Sequence, residues 1–381
     1  MRILLSIHHH LSYNSGASGS VLRMGDQYRA MGHCVLFYSY DNLPSFLSNS
    51  LKEILYPFFL AAHLVSLVIR KKIDIIDAST GDCWIWAIIS PFLFSKRPLL
   101  VTRSHGLEHM VHAMLRKEAK QNRVTLRWFY HLYRGSIRLW VCSLCLKKSD
   151  LNFMLNTQES NYSKSKLKIQ PEKNILISHG IDDVFLNLPF TPLDNSASRV
   201  IRVVQIGSFI QRKGIGFSIP ALSKILESHR SVEVYFLGTG CERERVLERF
   251  NSDFHDRIKV ASSFKHENLP EHLKDCHIKI LPSLSEGFGL TLLEAMACGL
   301  APVASAIEGP LELLQQNING ILVSPGSSEE LTEALEKLIS DHKFLEKIRC
   351  QAYKSAQNYS WKKSAQQQFS HYCNALQNKL R

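Results

Sequence analysis

Two carboxylates flank a glycine-containing turn in the second half of the chain. Glu286 and Glu294 lie within residues 283–299, between two short apolar runs that predict strands. A strand, glycine turn, helix and strand in this order present backbone N–H groups and a helix N-terminus to an anionic ligand. Thr291 and Glu294 also fit a capping box, in which Glu294 would only satisfy N–H groups of its own helix. No such structural role is evident for Glu286.

Two cations follow the first predicted strand of the second half, at residues 200–206. Arg212 and Lys213 precede Gly214 and a predicted helix. Arginine offers a bidentate fork and lysine a mobile charge, beside a favourable helix dipole. A solvated loop pair is the alternative, but the two acids follow strands of the same predicted sheet. The pattern therefore favours a phosphate-binding site.

The first half offers one candidate side chain. Residues 99–102 predict a buried strand that ends at Arg103 and is followed by His105 and Gly106. Ligands of doubly wound α/β domains bind just past the carboxyl ends of the strands, so His105 is a predicted sugar contact. The loop at residues 12–20 contains Gly16 but no G-x-G-x-x-G pattern, which argues against dinucleotide binding.

Composition indicates a globular protein of about two domains. The 381 residues are 45% hydrophobic and 21% charged, with a net charge of +12. Residues 96–168 hold 15 Lys and Arg against 4 acids, a net of +11, which suggests an anionic partner. The 9 cysteines lack framework spacing and predict free thiols in a reducing cytoplasm. No secretory signal is evident, and the apolar run at residues 54–69 predicts a core-facing helix.

The basic region is predicted to be helical over residues 107–148. Trp128, Phe129 and Trp140 are interleaved with its cations. One interpretation is a solvated basic face over an aromatic core face. Taken together, however, the side chains fit a surface that rests on anionic lipid headgroups.

A linker is predicted at residues 186–200, where periodicity is lost. On both sides of it the order strand, loop, helix, strand recurs, which predicts an α/β protein with two Rossmann-like, doubly wound domains facing across a cleft. We assign residues 1–185 to the N-terminal domain and residues 201–360 to the C-terminal domain. Residues 361–381 form a helical tail that must pack on a domain already built.

Several motifs together resemble those of the family 4 retaining glycosyltransferases, which have the GT-B fold. They are Q-I-G-S-F-I-Q-R-K-G, L-G-T-G, E-G-F-G-L, L-E-A-M-A-C-G and N-G-I-L-V, all between residues 203 and 361. The resemblance is weaker in the first half, where T-R-S-H-G at residues 102–106 fits. Three positions depart from the family pattern, namely Ser208, Glu308 and His179.

The resemblance implies that a nucleotide-diphosphate sugar binds the C-terminal domain and is transferred, with retention, to an acceptor held mainly by the N-terminal domain. The tail after Trp361 would cross back onto that domain. The implied catalytic residues are His105, near the transferred sugar, and Glu286. The implied donor-binding residues are Gly16, Arg212, Lys213, Gly287, Phe288, Gly289, Leu290 and Glu294.

No D-x-D motif is present, so we predict transfer without a metal or other cofactor, with a UDP- or GDP-sugar as co-substrate. The expected acceptor is a glycan or a lipid-linked glycan in cell-surface polysaccharide or glycolipid synthesis. We expect a cytoplasmic protein that contacts the inner, anionic face of the membrane and binds no nucleic acid. Two alternatives stay open, namely a basic nucleic-acid-binding protein and a non-catalytic partner that only binds sugar nucleotides.

Overall fold

Each of two units is built on a parallel sheet in the computed structural model, which describes residues 1–193 and 200–380. Unit 1 comprises Met1–Gly180 and Trp361–Arg381, and unit 2 comprises Ile181–Ser360. Both sheets have six strands, in the orders β2-β1-β3-β4-β5-β6 and β12-β11-β10-β7-β8-β9, whose bounds follow. Because all strand pairs are parallel, the carboxyl ends of the strands in each sheet lie at one edge.

The strands of unit 1 are short apolar runs, as expected for strands covered on both faces. Its elements up to the unit boundary are β1 Arg2–Ser6, α1 Gly16–Ala30, β2 Cys34–Tyr38, α2 Asn49–Ile69, β3 Ile75–Ser79, α3 Trp84–Leu93, β4 Leu99–Arg103, α4 Glu108–Lys120, a π-helix Tyr130–Ile137, α5 Arg138–Lys148, β5 Leu151–Met154, α6 Thr157–Ser165 and β6 Asn174–Leu176.

Unit 2 repeats the alternation of strands and helices around its own core. Its elements are α7 Asp183–Leu186, β7 Ile201–Ile206, α8 Ile215–Ser228, β8 Val232–Leu237, α9 Arg243–Leu247, β9 Ile258–Ala261, α10 Leu269–Leu273, β10 Ile278–Leu281, α11 Leu290–Ala297, β11 Ala301–Ser305, α12 Glu308–Leu313, β12 Ile321–Val323, α13 Ser328–Ser340 and α14 His342–Ala356.

The last helix, α15 (Trp361–Leu380), belongs to unit 1 and packs against α1 and β4. Tyr28 on α1 donates a hydrogen bond to Gln368 at 2.9 Å. Tyr372 donates to the buried carboxylate of Asp77 on β3, which also pairs with Arg103 on β4. These buried polar contacts fix the helix on the sheet of unit 1.

Two local predictions and one of the alternative interpretations were wrong. The helix predicted to follow the loop at residues 12–20 begins already at Gly16, so most of that loop is helical. Residues 121–127 interrupt the predicted basic helical region. Trp128 and Trp140 are 75% and 59% exposed, so they do not form an aromatic core face.

The helix α2 faces the core with one side, as predicted. Tyr56, Leu60 and Leu64 are fully buried in the core of unit 1. The same helix is long and apolar enough to cross a membrane by length and composition, a test that core helices of soluble proteins also pass. Only 33% of its apolar window is buried inside the protein.

Part of the predicted linker at residues 186–200 lies outside the described residues, namely residues 194–199. The described part rests on α14 of unit 2. Tyr353 donates a hydrogen bond to the Leu188 carbonyl at 2.7 Å, and Arg349 donates to the Thr191 carbonyl at 3.0 Å.

Candidate functional site

Glu286 lies in the loop after β10 and has two hydrogen-bond donors. Lys213 Nζ donates to Glu286 Oε1 at 2.5 Å, and Ser283 Oγ donates to the same oxygen at 2.8 Å. Burial alone would raise the pKa of Glu286, but the charge and hydrogen bond of Lys213, together with Arg212 and Ser283, lower it below its ordinary value. Glu286 is therefore an anion at neutral pH, held against a cation.

The two cations come from the loop after β7. Gln211–Lys213 form one 3₁₀ turn, and Arg212 reaches across to the Ser285 carbonyl at 3.4 Å. The loop bends at Gly214, which has a φ of 78°, and an added Cβ there would lie 1.9 Å from the Pro282 carbonyl oxygen. Only glycine lets the two loops approach this closely. The tight turn thus brings Arg212 and Lys213 beside Glu286.

The glycine turn before α11 is packed equally closely. Gly289 has a φ of 92° and caps α11 without any side-chain hydrogen bond, so the first N–H groups of the helix have no capping side chain. A Cβ on Gly309 would lie 2.6 Å from the backbone of Phe288. The Gly309 N–H donates to the Glu286 carbonyl at 3.2 Å. The backbone of residues 287–290 is thereby fixed between α11 and α12.

Glu294 does not act as a capping residue, so the capping-box alternative was wrong. It lies in the middle of α11 and is 5% exposed. His266 Nε2 donates to Glu294 Oε1 at 2.7 Å, while His266 Nδ1 lies 3.5 Å from the Asp182 carboxylate. A histidine distant in sequence therefore orients the Glu294 carboxylate. Sequence reasoning missed His266 because nothing in its local pattern distinguishes it.

Lys279 on β10 is a second residue that sequence reasoning missed. It is fully buried, and its Nζ donates to the Ile280 carbonyl at 2.9 Å. Burial, with a smaller effect of the nearby Lys213, lowers its pKa to about 7, although Glu286 and Glu294 oppose the shift. The sequence does contain a signal, because Lys279 interrupts an otherwise apolar strand. The strand is too short for its alternation of inward and outward residues to show that Lys279 is buried.

In unit 1, His105 lies just past the carboxyl end of β4, as predicted. Burial, with smaller effects of His179 and Arg103, holds its pKa well below its ordinary value, so the ring is neutral. Neither ring nitrogen has a hydrogen-bond partner among the described residues. Gly16 is the first residue of α1, and an added Cβ there would contact nothing within 4 Å.

A polar cavity of about 490 Å³ also belongs to unit 1. Among its lining residues, Arg138 lies 3.3 Å from Glu108, and His8 Nδ1 lies 2.7 Å from the buried Asp82 behind the lining. Burial lowers the pKa of the neighbouring His9 to about 4, with a smaller effect of His8.

The arrangement in unit 2 suits an anionic ligand with attached hydroxyl groups. Arg212 and Lys213 supply positive charge, the open start of α11 supplies N–H donors, and Glu286 and Glu294 supply acceptors within the same strand-end edge. These are the groups needed to hold phosphates and sugar hydroxyls.

Comparison with known proteins bears on this unit. The model of the family Glycosyl transferases group 1 matches residues 195–355. That match contains the loop after β7, the glycine turn and α11, and therefore all the candidate residues of unit 2. The phosphatidylinositol N-acetylglucosaminyltransferase gpi3 subunit of Schizosaccharomyces pombe is 27% identical over 178 residues, which cover 45% of this chain and 38% of the yeast protein. The chain spans less than half the length of the first curated relatives it matches.

Solved structures match both units. Sucrose-phosphate synthase from Thermosynechococcus elongatus superimposes with a TM-score of 0.76 at 20% identity and covers 99% of both chains. The Anabaena protein HepE in complex with UDP-glucose superimposes with a TM-score of 0.69 at 20% identity and covers 99% of this chain and 100% of that one. The chain has the GT-B fold of these glycosyltransferases, which confirms the predicted fold class.

Proposed function

We propose that the chain is a metal-independent, retaining glycosyltransferase of family 4. It would transfer a sugar from a nucleotide-diphosphate sugar to a glycan or lipid-linked acceptor. The observation that carries the proposal is the Lys213–Glu286 pair with Arg212 beside it, at a strand-end edge within the glycosyl transferases group 1 match. Fixed cations at this point would meet the diphosphate, whose negative charge grows as the sugar leaves.

Each side chain then has a role in binding the donor. Arg212 and Lys213 would hold the two phosphates, and the N–H groups at the start of α11 would add to the positive field. Glu294, oriented by His266, would accept hydrogen bonds from the ribose hydroxyls. Glu286 would accept from the transferred sugar once Lys213 turns to the diphosphate. A phosphate needs no protonation to leave, so neither acid has to donate a proton.

We assign His105 to the sugar that is transferred. Its imidazole is neutral and both of its nitrogens are unpartnered among the described residues, so it can accept from one hydroxyl and donate to another. Gly16, at the open start of α1, is assigned to the donor phosphates, as the resemblance implies.

The biological setting is proposed from the charge of unit 1 and from relatives. The Schizosaccharomyces pombe relative carries phosphatidylinositol in its name, and another match is an amylovoran biosynthesis glycosyltransferase of Erwinia amylovora. We propose cell-surface polysaccharide or glycolipid synthesis, at the cytoplasmic face of the membrane.

Isothermal titration calorimetry in the presence of EDTA tests the donor site. UDP-glucose, GDP-mannose and other nucleotide sugars would be titrated into the wild type, Glu294→Ala and Lys213→Met, with Lys224→Met as a control that removes an exposed cation elsewhere in unit 2. We expect one nucleotide class to bind, with a loss of about tenfold or more in the first two variants and none in the control. Binding only in the presence of a divalent metal would refute metal independence.

Turnover separates the enzyme from a non-catalytic partner of another enzyme, an alternative that stays open because the yeast relative is itself named as one part of a larger transferase. The readout is release of the nucleoside diphosphate when candidate acceptors are added. Donor binding without release of the nucleoside diphosphate in the presence of any acceptor would favour the non-catalytic partner. Salt-sensitive affinity for RNA or DNA, without donor binding, would favour a nucleic-acid-binding protein.

A further inference from the structure

Unit 1 exposes large apolar side chains on α2 and on the basic segment at residues 128–140. On α2, residues 51, 54 and 58 recur at intervals of three and four and so share one side of the helix. The set, which we name the apolar face, consists of Leu51, Ile54, Phe58, Trp128, Phe129 and Trp140, and every member is at least 38% exposed. Contiguous exposed apolar surface of this kind marks an interaction site.

Contacts between the elements make this face continuous. The rings of Phe58 and Trp140 both lie against Trp84, at centroid distances of 6.1 and 6.4 Å. At its other end, Phe129 stacks on Tyr133 at 6.2 Å, and the Tyr133 hydroxyl donates to the Glu53 carbonyl of α2 at 3.5 Å. The exposed residues of α2 and of residues 128–140 therefore belong to one surface.

Exposed cations border this face. Arg127 precedes Trp128 directly, and Arg116 and Lys120 line a hollow together with His131 of the π-helix. Arg134 reaches back to Glu53 on α2 at 2.8 Å. A surface that is apolar in the middle and positive at its edge complements an anionic lipid bilayer, whose interior takes the apolar groups and whose headgroups take the cations.

We propose that the apolar face inserts into the interfacial region of an anionic bilayer. Tryptophan suits that position, because its ring is apolar and its N–H can contact the headgroups. A second copy of the chain fits less well, since a two-fold interface would bring the same cations together. Nucleic acid would use the cations but would leave Leu51 and Ile54 without a partner.

The polar cavity of unit 1 gives this surface a role in substrate choice, which rests on the proposed function. Glu53 and Arg134 line the cavity and also join α2 to the π-helix beside the apolar face. A lipid-linked acceptor could place its polar head in the cavity while its lipid part stays in the bilayer. The acceptor class that we infer is therefore a lipid-linked sugar and not a soluble glycan.

Vesicle sedimentation tests the proposal. The full chain would be mixed with vesicles of phosphatidylcholine alone or with 30% phosphatidylglycerol (roughly the anionic content that gives a strong surface potential). The variants are Trp128→Ala/Trp140→Ala, Arg116→Gln/Lys120→Gln, and the control Leu176→Ser, which removes an exposed apolar residue that is not part of the apolar face, on the edge strand β6.

We expect binding to anionic vesicles only. The tryptophan pair should weaken it about tenfold or more, the cation pair by about fivefold per residue, and the control should leave it unchanged. Tryptophan emission should shift to shorter wavelength on binding, and brominated lipids should quench it in the wild type and less in the tryptophan variant.

Four outcomes would overturn the proposal. Two are an absence of vesicle binding and equal vesicle binding by all variants. The third is a dimer of the wild type that binds no vesicles and that the tryptophan substitutions dissociate. The fourth is RNA binding that is weakened by both the tryptophan and the cation substitutions. Thermal unfolding of each variant shows that it is folded. Donor calorimetry on the same variants separates the two proposals, because the apolar face lies in unit 1 and the candidate donor residues Arg212, Lys213, Glu286 and Glu294 in unit 2. Vesicle binding without donor binding would support the membrane-binding surface and refute the proposed function.

Discussion

Replacing Gly214 by alanine should damage unit 2 far more than a comparable replacement elsewhere. The new Cβ would lie 1.9 Å from the Pro282 oxygen, whereas ordinary contact begins near 3.4 Å, so the loop must move by 3.4 − 1.9 = 1.5 Å. Pro282 directly follows β10 and cannot yield easily. The left-handed backbone alone costs about 1–2 kcal/mol, and the overpacking adds about 1–3 kcal/mol.

Gly240 provides the matched control within the same unit. Its φ is 66°, close to the 78° of Gly214, but an added Cβ there would contact nothing within 4 Å. Gly240→Ala should therefore cost only the backbone part, about 1–2 kcal/mol. The difference between the two variants isolates the steric contact with Pro282.

Denaturant unfolding can be read for each unit separately. All 5 tryptophans lie in unit 1, so tryptophan fluorescence follows that unit, while far-UV circular dichroism reports both. Gly214→Ala should shift the dichroism transition and leave the fluorescence transition unchanged. It should also weaken donor binding, because a displacement of this size separates Lys213 from Glu286. Equal costs for the two variants would refute the steric argument.

Three further predictions concern buried charges. Lys279→Met should stabilise unit 2 by up to about 4 kcal/mol at pH 6, where the wild type must bury a charged lysine. This gain should shrink as pH rises from the folded pKa of about 7 towards the unfolded pKa of 10.5, because the folded wild type then loses the buried charge. Glu286→Gln should cost about 2 kcal/mol at pH 7 and remove the part of acid destabilisation that the wild type shows as pH falls through the lowered pKa. Burial raises the pKa of Glu159 to about 7, so the wild type loses stability as pH rises from 4.5 to 8. Over that range the stability of Glu159→Gln should therefore increase by about 3 kcal/mol relative to the wild type. Chemical unfolding across pH measures all three, and flat differences between variant and wild type would contradict them.

Much of the fold could be predicted because many of its strands are buried apolar runs. A strand covered on both faces is largely apolar, and the runs at residues 99–102 and 200–206 were predicted within one residue of the observed strands Leu99–Arg103 and Ile201–Ile206. Gly299 lies just past the end of α11 with a φ of 79°, as is common for a glycine that ends a helix.

The partners within the site could not be predicted, because they come from distant parts of the chain. Lys213 forms a hydrogen bond with Glu286, which lies 73 residues away in sequence, and His266 forms one with Glu294, which lies 28 residues away. Neither contact has a local pattern. The exposure of Trp128 and Trp140 was also hidden, because a mixed basic and aromatic sequence fits both an amphipathic core helix and an interfacial surface.

The boundary between the units has a consequence for how such chains can be recombined. Unit 2 begins at Ile181 and ends at Ser360, and these two residues form a parallel β-bridge, with the Ile181 N–H donating to the Tyr359 carbonyl at 3.3 Å. The whole unit is thus an insertion whose two ends lie side by side. Exchanging residues 181–360 for the matching segment of a relative should preserve both junctions. If the proposed function is correct, such an exchange should change the donor preference of the chain while leaving unit 1 intact.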